Sequence, residues 1–182
     1  MREIEVKAKI ADIKYVREKL EKLGCVFSEP VRQEDSIYSL PDVPFEVFKP
    51  DINLLRIRKE NGKIIFTLKR PQKNEQDALE HETEIQNGEE MAAAIELLGF
   101  KKMVEVKKTR QKAKYNNYTI CLDEVEGPGQ FIEVETFSED GDPEKIQEEI
   151  FKFILSLGLK KEDRVREGYD TLVYLKNLKG AE

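Results

Sequence analysis

Apolar and charged residues alternate with a period of two along several segments of the chain, a pattern typical of strands with two unlike faces. The first such segment is Met1–Ile10, where charged side chains take every second position. Further alternating segments lie near residues 54–59, 63–69, 80–84, 104–115, 118–123 and 131–137. Asn61-Gly62 is a tight-turn sequence between two of them, as expected for a hairpin. The chain is therefore predicted to be built mainly on antiparallel strands.

Three other segments carry apolar residues at helical spacing, and each is followed by a glycine. The first helix follows Asp12, the second spans about Glu89 to Leu98, and the third follows Asp142-Pro143. The two aspartates are predicted N-caps, and a proline suits the first turn of a helix. A short fourth helix is predicted around Tyr169 to Leu175. Since no linker separates these elements, we expect one α+β domain spanning residues 1–182.

Composition narrows the class of protein. The 182 residues include 31 Lys plus Arg and 37 Asp plus Glu, a formal net charge of -6, which disfavours binding to nucleic acid. No apolar run approaches the roughly 20 residues that cross a bilayer, and the charged N-terminal strand is unlike a signal peptide. We therefore expect a cytoplasmic protein that binds neither nucleic acid nor membrane. Two cysteines and one histidine predict neither a disulfide framework nor a zinc site.

The charged strand faces have two interpretations. One is a sheet with a solvated face, which produces the same alternation. Solvated faces usually mix charges, however, because like charges opposite each other destabilise a sheet. Here the charges are sorted into acidic and basic runs, which favours a second interpretation in which the faces line a cavity. The acidic positions are Glu3, Glu5, Glu82, Glu84, Asp123, Glu133 and Glu135, and the basic positions are Lys7, Lys9, Arg56, Arg58, Lys69, Lys108 and Arg110.

A cavity with these walls would have a definite chemistry. Its carboxylates would be too crowded to stay ionised without a cation. Carboxylate oxygens without histidine or cysteine suit Mg²⁺ or Mn²⁺. Its arginines and lysines would bind an anion with many oxygens. Such a cavity suits a polyphosphate, and strands that alternate inward and outward can wall a barrel that holds it.

The order of these motifs resembles the CYTH superfamily, also called the triphosphate tunnel metalloenzymes. Glu3-Ile4-Glu5-Val6-Lys7 is similar to the ExExK motif of that family. The resemblance covers nearly the whole chain, and Arg164–Leu175 is similar to the C-terminal segment of class IV adenylyl cyclases. The later matching motifs, in family order, are Gln33–Tyr38, Leu55-Arg56-Ile57-Arg58, Phe66-Thr67-Leu68-Lys69, Glu82-Thr83-Glu84, Lys108-Thr109-Arg110, Leu122-Asp123 and Glu133-Val134-Glu135.

The resemblance implies a fold and a set of roles. The fold is a closed antiparallel eight-stranded β-barrel, the triphosphate tunnel, flanked by helices. The metal ligands would be Glu3, Glu5 and Glu135, with Asp123 and Glu133 close by. The phosphate oxygens would be bound by Lys7, Arg56, Arg58, Lys69, Lys108 and Arg110. The catalytic residues would be Lys108, Arg110, Glu82 and Glu84, of which the two glutamates would hold a second ion or position the nucleophile.

The implied activity is that of an enzyme acting on ATP or another triphosphate with Mg²⁺ or Mn²⁺. The whole-length pattern is most similar to class IV adenylyl cyclases, which convert ATP into cyclic AMP and pyrophosphate. Two alternatives stay open: a hydrolase of thiamine triphosphate, inorganic triphosphate or nucleoside triphosphates, and a protein that binds nucleotide or polyphosphate without turnover. A homodimer is expected by analogy with the class IV cyclases.

A few residues fall outside these roles. Glu80 departs from the family pattern, since many relatives carry a basic residue there. His81 is expected to point away from the acidic side of its strand, and Lys112 to face solvent at a strand edge. The two cysteines, Cys25 and Cys121, are expected to be small packing residues. The connection from Ser39 to Asn53 is long enough to be a lid, with Phe45 and Phe48 either covering a base or plugging the barrel end.

Overall fold

The computed structural model describes residues 2–43, 49–138 and 141–180, so Phe45 and Phe48 lie outside the described residues. Within those ranges the chain forms nine strands and four α-helices. None of the described helices is long and apolar enough to span a bilayer. In chain order they are β1 (Arg2–Lys9), α1 (Ile13–Lys22), β2 (Val31–Ser39), β3 (Leu54–Glu60), β4 (Lys63–Pro71), β5 (Asp77–Ile85), α2 (Gly88–Leu97), β6 (Lys101–Tyr115), β7 (Tyr118–Val125), β8 (Gly129–Ser138), α3 (Pro143–Ser156), β9 (Arg164–Val165) and α4 (Tyr169–Lys179).

Eight of the strands form a closed antiparallel barrel, which confirms the predicted fold. They are ordered β5-β4-β3-β2-β6-β7-β8-β1, and β1 pairs back with β5. This closing seam is short: Arg2 lies opposite Leu79, and Ile4 lies opposite Asp77. Arg2 also donates two hydrogen bonds to the Asp77 carboxylate, at 2.6 and 2.8 Å. The two-residue strand β9, which the sequence pattern did not predict, extends the sheet along β1 beyond the seam.

The main hydrophobic core lies outside the barrel, between its wall and two helices. Outward side chains such as Val6, Ile120 and Ile132 are completely buried there. They pack with Leu20 of α1 and Ile150 of α3, which lie on the apolar faces of those helices. Alternation therefore divides each strand between two environments, an apolar one under the helices and another inside the barrel.

Side-chain caps fix where the helices begin. The Asp12 carboxylate accepts hydrogen bonds from the backbone N–H groups of Lys14 and Tyr15, and Asp142 accepts one from Glu144. Both predicted N-caps are thus confirmed. Helix α2 is capped by the Asn87 side chain, which lies just before Gly88 and places the helix start one residue earlier than predicted.

Helix α4 covers one end of the barrel and extends to Lys179, beyond the predicted short helix. Its Tyr169 and Val173 are buried against apolar side chains that point into the barrel at that end, among them Val106, Val125 and Phe131. The interior therefore has an apolar layer under α4, and the charged positions of the same strands lie above that layer.

Candidate active site

The inward charged side chains of the barrel line one cavity of about 300 Å³. Three of the cavity-lining cations are almost completely buried: Lys7, Lys108 and Arg110 have 1%, 4% and 5% of their surface accessible. The solvated-face interpretation is therefore wrong for these strands. All six predicted phosphate-binding residues line the cavity, and so do Glu3, Glu5, Glu82, Glu133 and Glu135.

Arg110 is held in a fixed orientation by two carboxylates. Its Nε and Nη2 donate to the two oxygens of Asp123 at 2.7 and 2.6 Å, and Nη2 also donates to Glu133 at 2.7 Å. Asp123 is completely buried and also accepts a 2.7 Å hydrogen bond from the Tyr169 hydroxyl. Asp123 is not among the residues that line the cavity, although the family pattern implied that it lies close to a metal. Its position behind Arg110 makes it a support for the guanidinium.

Arg58 is held in the same way by Asp35, a residue to which the sequence pattern gave no role. Its Nε and Nη2 donate to the two Asp35 oxygens at 2.7 Å each, and Lys108 Nζ lies 3.7 Å from that carboxylate. Burial opposes ionisation of Asp35, but the hydrogen bonds from Arg58 and the charge of Lys108 outweigh it and hold the pKa of Asp35 well below its ordinary value. Asp35 lies within the family-like segment Gln33–Tyr38, but the sequence pattern did not show which side chains of that segment face inward.

Two lysines share one aromatic contact. Lys7 Nζ lies 4.2 Å and Lys108 Nζ 4.9 Å from the centre of the Tyr169 ring, within the range of cation–π attraction. Burial, together with the charges of Arg110 and Arg58, lowers the pKa of Lys108 to about 8. Lys108 is therefore the cation in this cavity whose charge is most sensitive to alkaline pH among those with a resolved shift.

Carboxylates crowd the part of the cavity wall that β1 and β8 form. Glu5 lies directly across the β1–β8 pair from Glu135. Burial, reinforced by Glu80, Glu5 and Glu135, raises the pKa of Glu3 to about 8 despite nearby Lys69. Burial and the Glu133 charge raise the pKa of Glu135 as well. These oxygen ligands fit a hard divalent cation such as Mg²⁺ or Mn²⁺, which would relieve the repulsion among them.

Of the three glutamates on one side of β5, two line the cavity and the third does not. Glu80 lies 3.0 Å from Lys69, and Glu82 lies 3.3 Å from Arg56, so both neutralise cations of the cavity wall. The structure does not bring Glu84 to the cavity, although the family pattern implied a catalytic role for it. Glu84 instead pairs with Lys63 at 2.9 Å, and both side chains are more than half exposed. The alternation continues past the end of the enclosed space, so the motif alone does not show which of its glutamates is inside.

Two residues to which no site role was assigned lie at or inside the barrel cavity. Lys112 borders the cavity two positions beyond Arg110 and is exposed, as expected. Cys121 is completely buried and lies opposite Lys112 on β6 and Glu133 on β8. Extending the inward alternation by one more step on β7, from Asp123 to Cys121, would have placed this cysteine inside the barrel. His81 is exposed, as expected.

A closed barrel whose interior joins a basic cradle to crowded carboxylates defines a class of protein, and the comparisons agree with it. The chain belongs to the CYTH family, whose CYTH domain model matches residues 1–169. It is 33% identical over 172 residues to a Methanocaldococcus jannaschii protein named "Putative adenylate cyclase", covering 93% of this chain and 97% of that protein.

Solved structures share the fold. A Pyrococcus horikoshii protein matches with a TM-score of 0.79 and 34% identity, covering 94% of this chain and 99% of that chain. A Hippeastrum protein, named a "Putative adenylyl cyclase" that has a dominant triphosphatase activity, matches with a TM-score of 0.59 over 92% of this chain and 90% of that chain. Its identity is 18%, so this second likeness shows the fold alone.

Proposed function

We propose that this chain binds ATP with Mg²⁺ or Mn²⁺ in the barrel cavity and converts it into cyclic AMP and pyrophosphate. The observation that carries the proposal is the convergence of six cations on one cavity that also holds Glu3, Glu5 and Glu135. A triphosphate supplies the many anionic oxygens that such a cradle requires. The name of the Methanocaldococcus jannaschii relative supports ATP as the first substrate to test.

The arginines are oriented before any substrate arrives. Asp35 fixes Arg58, and Asp123 fixes Arg110, each through two short hydrogen bonds. Preorganised cations of this kind stabilise charge that develops on a leaving pyrophosphate without having to reorganise during the reaction. Glu3, Glu5 and Glu135 would hold the divalent ion, which when bound neutralises phosphate charge and polarises phosphoryl oxygens.

In the cyclase reaction the 3′-hydroxyl of ATP attacks the α-phosphorus and its proton is released to solvent, while the bond to the bridging oxygen of pyrophosphate breaks. We assign the orientation of that hydroxyl to Glu82, the glutamate of its motif that lines the cavity. Glu82 accepts a 3.1 Å hydrogen bond from the Thr67 hydroxyl, which fixes one of its oxygens. Lys108 and Arg110 then stabilise the departing phosphates.

One observation favours hydrolysis as a second candidate. The Glu82 side chain is 49% exposed, so water reaches the carboxylate to which we assign the nucleophile. Water attacking the terminal phosphorus in the same cradle would make the protein a triphosphatase. The two reactions differ in which phosphorus meets the nucleophile, so their products distinguish them.

The first experiment is to incubate the purified protein with Mg²⁺ or Mn²⁺, offering ATP and tripolyphosphate separately, and to resolve the products by phosphorus NMR and chromatography. Cyclic AMP with pyrophosphate would establish the cyclase. ADP with phosphate, or pyrophosphate with phosphate, would establish a triphosphatase. Tight binding without turnover would contradict both and leave a polyphosphate-binding protein.

A pair of neighbouring lysines then tests the site. Lys108→Ala removes a cavity cation and is expected to lower kcat/KM by at least about 100-fold, the usual cost of losing a group that stabilises transition-state charge. Lys107→Ala, on the outer face of the same strand, is the matched control and should stay within about twofold. Equal losses in the two variants, with circular dichroism showing both folded, would contradict the placement of the active site.

A further inference from the structure

Cys121 lies where β7 meets β8 inside the barrel, next to two carboxylates. It is completely buried and stands directly opposite Glu133. Its Sγ and one carboxylate oxygen from each of Glu133 and Glu135 all lie within 4.8 Å of one another. Within residues 2–43, 49–138 and 141–180, this is the one group of three potential metal ligands that approach so closely.

The ligand atoms of this group have unused bonding capacity. Glu135 is only 8% exposed, borders the cavity, and forms no hydrogen bond or ion pair with any residue the structure describes. One oxygen of Glu133 accepts from Arg110 at 2.7 Å. Its other oxygen is 3.4 Å from Lys7 Nζ, longer than the roughly 2.7–2.9 Å of a charge-assisted hydrogen bond. The buried carboxylate of Glu135, which has no partner among the described residues, therefore lies beside the thiol and a second carboxylate that is held only loosely by Lys7.

The donor set selects a class of ion. Thiolate sulfur prefers soft or borderline metals, whereas Mg²⁺ is coordinated by oxygen in near-octahedral geometry. Zn²⁺ accepts cysteine and carboxylate ligands, and sites with three protein ligands leave a fourth position open. We propose that Cys121, Glu133 and Glu135 form a binding site for a thiophilic divalent ion such as Zn²⁺. The thiol proton passes to solvent when the sulfur–metal bond forms.

This site goes beyond the proposed Mg²⁺ or Mn²⁺ ligands: it shares Glu135 with them, takes in Glu133, which was expected close to that ion, and adds the Cys121 sulfur. An ion bound to Cys121 would occupy that shared carboxylate and exclude a hard ion from it. The barrel would therefore discriminate between metals, and a thiophilic ion such as Zn²⁺ would compete with Mg²⁺ or Mn²⁺ for binding. The inference requires metal binding alone and is independent of whether the protein turns over ATP.

The test uses Co²⁺ alone as a spectroscopic substitute for Zn²⁺, because a cobalt–thiolate bond gives a charge-transfer band in the near ultraviolet. We would titrate Co²⁺ into the wild-type protein, Cys121→Ser and Cys25→Ala. Cys25 packs in the outer core with Leu20, and its replacement leaves Cys121 as the only thiol in the chain. Expected results are one cobalt–thiolate band per chain in the wild type and in Cys25→Ala, and none in Cys121→Ser.

Affinity provides the second measurement. Loss of a supporting partner commonly weakens metal binding about 10- to 100-fold, so loss of a ligand in Cys121→Ser or Glu135→Gln should cost at least about tenfold. Zn²⁺ at one equivalent should displace the cobalt band, and Mg²⁺ in large excess should not. The proposal is overturned if Cys25→Ala shows no band, if the band persists in Cys121→Ser, or if Mg²⁺ removes it as readily as Zn²⁺. The absence of a band in Cys25→Ala would overturn the proposal by itself, so the test does not depend on whether Cys121→Ser folds.

Discussion

At the level of single residues, the main feature of the site is that its arginines are already paired. Asp35 and Asp123 each accept two hydrogen bonds from one buried guanidinium. Ordering a flexible side chain costs free energy, and here that cost is met on folding instead of on binding. A carboxylate buried with its arginine is also difficult to remove, since its loss leaves an unpaired buried charge.

Asp35→Asn is therefore expected to destabilise the protein. Losing one partner of a buried ion pair typically costs about 3–5 kcal/mol, because Arg58 keeps its charge in a buried position. The free energy of unfolding from urea titration would measure the loss. Glu34→Gln, at the exposed neighbouring position of β2, is the matched control and should change stability by less than about 0.5 kcal/mol. Equal effects would show that Asp35 does not hold Arg58.

Lys108 predicts a pH dependence of triphosphate affinity. Its pKa in the free protein is lowered to about 8, and a bound polyphosphate would raise that pKa by favouring the charged amine. Binding therefore takes up a proton above pH 8, and affinity for Mg²⁺-tripolyphosphate should fall about tenfold between pH 7 and pH 9. Isothermal titration calorimetry would measure the fall.

Lys108→Arg provides the control for this pH effect, since a guanidinium stays charged throughout the range. Its affinity should change much less than that of the wild type between the same pH values. A wild-type fall that persists unchanged in Lys108→Arg would assign the titration to another group, or to the ligand itself.

At the level of elements, α4 both closes the barrel and touches the cradle. Tyr169, in its first turn, contacts two cavity lysines with its ring and donates its hydroxyl to Asp123. Helix packing and cation placement thus depend on the same side chain. The C-terminal helix is therefore part of the site, although no metal ligand or phosphate-binding residue was predicted on it.

Two substitutions separate the functions of Tyr169. Tyr169→Phe keeps the ring and removes the hydrogen bond to Asp123, so it should cost about 1–3 kcal/mol of stability with little effect on tripolyphosphate affinity. Tyr169→Leu also removes the ring contact with Lys7 and Lys108 and should weaken binding further. Thermal unfolding and calorimetry would measure the two effects. Indistinguishable affinities for Phe and Leu variants would mean that the ring does not position the lysines.

Periodicity made most elements predictable, because alternation and helical spacing are local properties of the sequence. The N-caps at Asp12 and Asp142 and the strands around the Asn61-Gly62 turn all follow from short-range chemistry. Asp35 as the partner of Arg58 was not predicted, because which strands are neighbours is not a local property. Glu82 and Glu84 illustrate the same limit: one motif places them on one face, but only the length of the closed barrel decides which lies inside.

At the level of the whole molecule, the cavity balances charges of both signs, and a divalent ion should alter that balance. Burial raises the pKa values of Glu3 and Glu135, and repulsion from neighbouring carboxylates, Glu5 among them, adds to both shifts. An ion that binds only the folded chain stabilises it according to its concentration. Cation binding is therefore expected to couple to stability even without substrate.

Mg²⁺ or Mn²⁺ should raise the melting temperature of the substrate-free protein, and excess EDTA should reverse the rise and abolish turnover. Saturation at about 100 times Kd corresponds to roughly 2.7 kcal/mol of added stability. Glu3→Gln should reduce the rise, since it removes a predicted ligand and part of the repulsion. Differential scanning fluorimetry across metal concentrations would measure both. A rise of equal size in Glu3→Gln, or turnover that persists in EDTA, would remove Glu3 or the metal from the site.

The short seam between β1 and β5 has a kinetic consequence. It joins residues about 75 positions apart through three register pairs, whereas the other neighbouring strands of the barrel share six to nine. Contacts between distant parts of a chain slow folding, and regions with few paired backbone groups open most readily. Amide hydrogens at this seam should therefore exchange faster than those of β6 and β7. Glu3 lies in the seam, so a cation bound to Glu3 should stabilise the β1–β5 pairing and slow the opening of the whole barrel.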